Sequence, residues 1–116
     1  MAEVIWTGPA IADLQLIADY IALDNPEAAS SLVQSVFDHV AQLETHPKRG
    51  PVIPEMRGSS TLYRQIIEPP CRVFYRIQGK RVWILNVIRG EMLFRPSILR
   101  KRFVTVPDPT ASEGPQ

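Results

Sequence analysis

Arg72-Val73-Phe74-Tyr75-Arg76-Ile77-Gln78-Gly79-Lys80-Arg81-Val82-Trp83-Ile84-Leu85-Asn86-Val87-Ile88 reads as two strands joined by a tight turn. β-Branched and aromatic residues fill both flanks, and Gly79 supplies the conformational freedom a short hairpin turn demands. The second flank, Arg81–Ile88, is the more apolar, which places it centrally in a sheet. Upstream, Leu62–Glu68 has the same character and ends at Pro69-Pro70, so it reads as a third, antiparallel strand. Strand side chains alternate faces. Arg72, Phe74 and Arg76 therefore share one face, and Val73, Tyr75 and Ile77 share the other. The second set can pack beneath helices. The first then lines the opposite face as a groove of guanidinium groups around an aromatic ring.

Outward from the sheet, residues 47–61 hold Pro47, Gly50, Pro51, Pro54 and Gly58 and read as a crossing loop. Before it come two helices. Ile11, Leu14, Ile17, Ala18 and Ile21 recur at spacings of three and four, which predicts a helix with one buried face. Thr7 suits its N-cap, Pro9 its first turn, and the helix should end near Asp24. Asn25-Pro26-Glu27 restarts a helix that carries Ala29, Val33, Val36, Phe37, Val40 and Leu43 to about Thr45. His46-Pro47 closes it, because the residue before proline leaves the α conformation. So short a joint folds the two helices into an antiparallel hairpin. Residues 2–6 suit a short strand, and Glu91–Phe103 suits a short helix or a last strand. The predicted fold is α+β, in the order β-α-α-β-β-β: an N-terminal strand and a helical hairpin packed on one face of a mainly antiparallel sheet. One domain over residues 1–103 is expected, followed by a disordered tail, 104–116, with three prolines and one glycine.

A chain of 116 residues can bury one core unaided. Its net charge of +1 conceals a segregation. Residues 1–47 hold seven acidic side chains and no lysine or arginine, while residues 48–103 hold all thirteen basic ones, ten of them arginine. Arginine's planar fork suits carboxylate and phosphate. Arg57, Arg64, Arg72, Arg76, Arg89 and Arg95, with Phe74, form the candidate groove, fitted to phosphates and stacked bases or to an acidic peptide. The competing reading is that acidic helices and basic sheet neutralise each other, with arginine stems covering apolar surface. His39 and His46 stand seven apart and do not suggest a metal site. Cys71, the single cysteine, excludes an intrachain disulfide and reads as a packed thiol. No glycine-rich phosphate loop occurs, and no cofactor is expected. No signal-peptide pattern and no apolar run of about 20 residues occurs, so a cytoplasmic protein without a membrane partner is expected.

Several stretches resemble the RelE/ParE superfamily of bacterial toxins. They are Trp6-Thr7, Ala12-Asp13-Leu14 with Ile17 and Tyr20-Ile21, Pro47, and Pro54-Glu55-Met56-Arg57-Gly58. The clearest are Tyr63-Arg64-Gln65-Ile66, Pro70-Cys71-Arg72-Val73-Phe74-Tyr75-Arg76 and Val82 through Gly90, and the resemblance covers residues 3–100. It implies a type II toxin neutralised by a cognate antitoxin, whose C-terminal part wraps it. Operator DNA is then reached only through the antitoxin. It also implies one of two targets: RelE-like members cut mRNA on the ribosome, and ParE-like members poison DNA gyrase. Arg64 stands at the RelE-like strand lysine, Arg72 at the strand arginine, Ile66 at a second basic position, and Arg89 where many relatives have histidine. Arg64, Arg72 and Arg89 are thus the residues a ribonuclease would use, with Glu91 or Tyr75 as proton-transfer candidates. The incomplete acid–base set and the long hairpin favour the gyrase branch. The alternatives are the ribonuclease and a non-toxic antitoxin-binding relative.

Overall fold

The structure is a computed structural model and describes residues 1–58, 60–90, 92–104 and 106. Its elements are β1 (Glu3–Trp6), α1 (Gly8–Ala22), α2 (Pro26–Ala41), β2 (Tyr63–Glu68), β3 (Cys71–Gln78), β4 (Arg81–Arg89) and α3 (Ser97–Val104). The sheet order is β1-β4-β3-β2, with β1 parallel to β4 and the rest antiparallel. β4 lies between two neighbours, and Val82 through Ile88 are all buried, as its apolar run requires. The expected α+β order and strand limits hold to within one residue or so. The ambiguous segment after β4 contains the helix α3.

The helix caps are those the sequence indicates. The Thr7 hydroxyl accepts from the Ala10 N–H at 3.3 Å and donates to the Ile84 carbonyl at 2.7 Å, so the start of α1 is tied to the central strand. Asn25 Oδ1 accepts from the Ala28 N–H at 3.0 Å and starts α2. The hairpin buries Leu14, Ile17, Leu32, Val36 and Val40 against Val73, Tyr75, Val82, Ile84 and Val87. Ile11 is an exception. Ala10 takes the buried place on α1 and Ile11 is exposed.

The expectation that helices cover only one face of the sheet is overturned. A second core of Ile53, Met56, Tyr63, Phe74, Trp83, Leu85, Ile88, Phe94 and Leu99 fills the opposite face. α3 and the 3-10 turn Pro54–Met56 supply its lid. The reason lies in β4. Trp83, Leu85 and Ile88 add to Phe74 an apolar surface too large to leave in water, which the alternation of β3 alone, with arginine on either side of Phe74, does not reveal. Of the expected tail, Val104 ends α3 and Val106 packs against this second core. Residues 105 and 107–116 lie outside the described residues.

One irregularity joins the layers. The β3–β4 register shifts between Phe74 and Tyr75, which pair with Asn86 and Ile84, so Leu85 is an extra residue bulged out of the ladder. Asp13 on α1 serves the freed groups. Its Oδ2 accepts from Asn86 Nδ2 at 2.7 Å and from the Val87 N–H at 3.0 Å. Arg102 on α3 donates to both Asp13 oxygens and, at 2.8 Å, to the Leu85 carbonyl. A second tie lies at the loop: the Tyr75 hydroxyl donates to the Pro47 carbonyl at 2.7 Å and accepts from the Gly50 N–H at 3.1 Å. Burial pushes the Tyr75 phenol up from its ordinary pKa. A Cβ at Gly50 would lie 2.2 Å from the Gln65 carbonyl oxygen, so only glycine lets the loop approach β2 this closely.

Asp13→Ala should lower stability by about 2 kcal/mol, because it removes the acceptor of the Asn86 side-chain amide and the Val87 N–H and the carboxylate partner of Arg102. The figure is below that of a fully buried pair because Arg102 and Asp13 keep 20% and 21% of their side-chain surface. The urea midpoint measures it.

Candidate functional site

Cross-strand pairing sorts the candidate arginines by face, since paired side chains lie on the same side. Arg76 pairs with Tyr63 and Arg72 with Ile67, on the side of α3. Arg64 pairs with Tyr75, on the side of the helical hairpin. The structure therefore brings Arg72, Phe74 and Arg76 together and places Arg64 across the sheet from them. Arg64 Nη1 donates to the Gly50 carbonyl at 2.9 Å and straps the crossing loop to β2. Arg89 ends β4 at a third place, with its guanidinium carbon 4.8 Å from the ring centre of Tyr20 on α1. Arg57 is exposed just after the Pro54–Met56 turn, and Arg95 is exposed ahead of α3.

The expected open groove around Phe74 is corrected. Phe74 is fully buried, with Phe94 stacked on it at 4.2 Å between ring centres. Arg72 lies over both rings, at 4.9 and 5.6 Å. Its guanidinium grips Glu55 in a fork, at 2.9 and 3.0 Å, and donates to Gln65 Oε1 at 2.6 Å. Hydrogen bonding to Arg72 holds the Glu55 carboxyl below the usual carboxylate range. The arginine that the sequence puts at the centre of the groove is thus already neutralised by the chain's own acid. Arg76 is different. Its guanidinium carbon sits 4.2 Å from the Phe103 ring centre and 5.1 Å from that of Tyr63, and its buried Nε meets no acceptor.

A second surface was not read from the sequence. Leu16, Ile17 and Tyr20 of α1 and Leu23 just after it, with Arg89 and Met92, line an open crease of about 520 Å³, rimmed by Asp19. Leu16, Tyr20 and Leu23 are 73%, 58% and 82% exposed. A patch of this kind on an otherwise acidic helix marks an interaction surface. The signal was available: Leu16, Tyr20 and Leu23 recur at four and three, a second apolar stripe beside the buried one. Asp13, Glu55 and Arg102 left no comparable signal, because each acts through a partner distant in sequence.

The chemistry on offer is recognition of anions and apolar side chains. Arginine keeps its proton near neutral pH, so it stabilises charge rather than moving protons. Tyr75 is buried on the hairpin side, and Glu91 lies outside the described residues. Among the described residues, no helix is long and apolar enough to cross a membrane.

Comparison with known proteins agrees with this fold. The family described as ParE toxin of type II toxin-antitoxin system, parDE, matches residues 4–94. Toxin RelE2 of Caulobacter vibrioides is 31% identical over 93 residues, which span 80% of this chain and 100% of the relative. A chain in the solved chromosomal ParDE system of P. aeruginosa is 32% identical, with a TM-score of 0.62 over 77% of this chain and 96% of that one. A chain of the RelBE2 toxin-antitoxin complex of Mycobacterium tuberculosis shares the fold at 23% identity, with a TM-score of 0.51 over 76% of this chain and 96% of that one.

Because folding lowers the Glu55 pKa, the stabilisation it brings is complete above the ordinary value of 4.5 and is lost as pH falls through the lower folded value. An NMR titration of the Glu55 carboxyl should show a midpoint below 4.5 that moves back up in Arg72→Gln.

Proposed function

This chain belongs to the ParE toxin family of type II toxin–antitoxin systems, and we propose that it arrests growth by binding DNA gyrase. One observation carries the choice of target. The three arginines a ribonuclease would use are dispersed: Arg64 straps a loop on the hairpin side, Arg72 is held by Glu55 on the opposite side, and Arg89 lies against Tyr20 at a corner. Cutting RNA requires a base for the 2′-hydroxyl and an acid for the leaving oxygen, gathered at one phosphodiester. A toxin that acts by docking needs only a surface. The apolar crease on α1 supplies one.

A cognate antitoxin is the toxin's regulatory partner on this reading. Apolar side chains of the antitoxin cover the crease. The second reading is a ribosome-dependent ribonuclease. It is favoured by the 31% identity to a toxin named RelE2 and by Arg64 and Arg72 at two of the basic strand positions.

Two measurements follow. In a purified supercoiling assay, micromolar toxin should inhibit gyrase or trap cleaved complexes, while primer extension on ribosome-bound mRNA shows no new cuts. Codon-positioned cuts that Arg72→Ala abolishes, together with unimpeded gyrase, would reverse the choice. For the antitoxin, Leu16→Glu with Leu23→Glu should weaken binding tenfold or more, about 1.4 kcal/mol, as read by calorimetry. Both side chains are mostly exposed, so the melting temperature should not move.

A further inference from the structure

We propose that the outward face of α3, extended by Arg76, docks on the phosphate backbone of duplex nucleic acid. The site lies apart from the apolar crease, and it departs from the expectation that DNA is reached only through the antitoxin.

Charge comes first. Residues 92–104 hold four cations and no acid. Three bases of the fold meet acids at close range: Arg102 with Asp13, Arg81 with Glu3, Arg72 with Glu55. Arg76, Arg95, Arg100 and Lys101 have no acidic partner among the described residues. Arg95, Arg100 and Lys101 are exposed. The negative end of the helix dipole accounts for cations in the last turn of α3, but not for Arg95 or Arg76.

Rigidity comes second. Leu99 is fully buried and Arg102 is bound to Asp13, so Arg100 and Lys101 project from a fixed element. Phe103 links that element to Arg76, whose guanidinium carbon lies 4.2 Å from the Phe103 ring centre and 5.1 Å from that of Tyr63. Two rings lie against the guanidinium, and its Nε is buried without an acceptor among the described residues.

The kind of anion follows from what else is near. A peptide anchors through side chains set into apolar pockets. Two apolar creases among the described residues lie elsewhere, one lined by Leu16, Ile17, Tyr20, Leu23 and Met92 and the other by residues 46–49 with Ile77 and Gly79. A single strand stacks its bases on open aromatic faces. Here Arg76 already lies against Tyr63 and Phe103. A duplex backbone asks only for cations at fixed positions.

Fluorescence anisotropy with the purified toxin and a labelled duplex tests this. Four phosphate contacts predict a slope of log K against log salt of about −3.6, at about 0.9 per contact. Arg100→Gln with Lys101→Gln should bring the slope to about −1.8 and weaken binding at least about tenfold at low salt, alike for two unrelated sequences. The melting temperature should stay put. Three results overturn the proposal: no saturable binding at low salt, a variant that binds like the parent, or tighter binding to the single strand than to the duplex. The assay contains no gyrase, so its failure leaves the gyrase reading standing, and a toxin that spares gyrase leaves this one standing.

Discussion

The carboxylate of Asp13 is the constraint on which the rest of the fold turns. It sits on the exposed side of α1's buried stripe, yet it reaches the sheet and accepts from Asn86, Val87 and Arg102. Leu85 bulges because β4 has one residue more than β3 at that level, and a bulge leaves backbone groups that need partners. Asp13 and Arg102 provide them from two different helices. One cluster therefore fixes the hairpin to one face of the sheet and α3 to the other. Without it the second core would lose the tie that holds its lid.

The same cluster explains part of the charge segregation. An acidic hairpin and a basic sheet do meet inside the fold, at Asp13–Arg102 and at Glu3–Arg81. To that extent the two halves neutralise each other. The remaining cations are not spread evenly over the sheet. Arg72 is engaged by Glu55 and Arg64 by backbone carbonyls. Arg76, Arg95, Arg100 and Lys101, which have no acidic partner among the described residues, gather at α3. The toxin thus carries two distinct surfaces, an apolar crease on an acidic helix and a basic edge beyond the second core.

How far the sequence was legible depends on the range over which each signal acts. Thr7, Asn25 and Gly79 act on their own neighbours, and each does in the structure what its chemistry predicts. The apolar run of β4 places that strand at the centre, because burial on both faces leaves no other arrangement. The site was less legible. Alternation puts Arg72, Phe74 and Arg76 on one face, and that is correct. It says nothing of what lies above that face. Phe94 and Glu55, more than fifteen residues away in either direction, turn an open groove into a covered one.

By itself the sequence determined the order and type of the elements, the caps, the central strand and the family to which the chain belongs. These rest on propensity, periodicity and turn chemistry, which act over a few residues, and on motifs kept in order along the chain. Tertiary structure alone decided which arginines are free. A guanidinium's availability depends on the carboxylate or ring that happens to lie beside it. Asp13 and Arg102 meet across 89 positions of sequence. Arg72 finds Glu55 across 17, and Arg76 finds Phe103 only once α3 has folded over the sheet. No local pattern encodes such meetings, because they follow from packing two helical layers on opposite faces of one sheet.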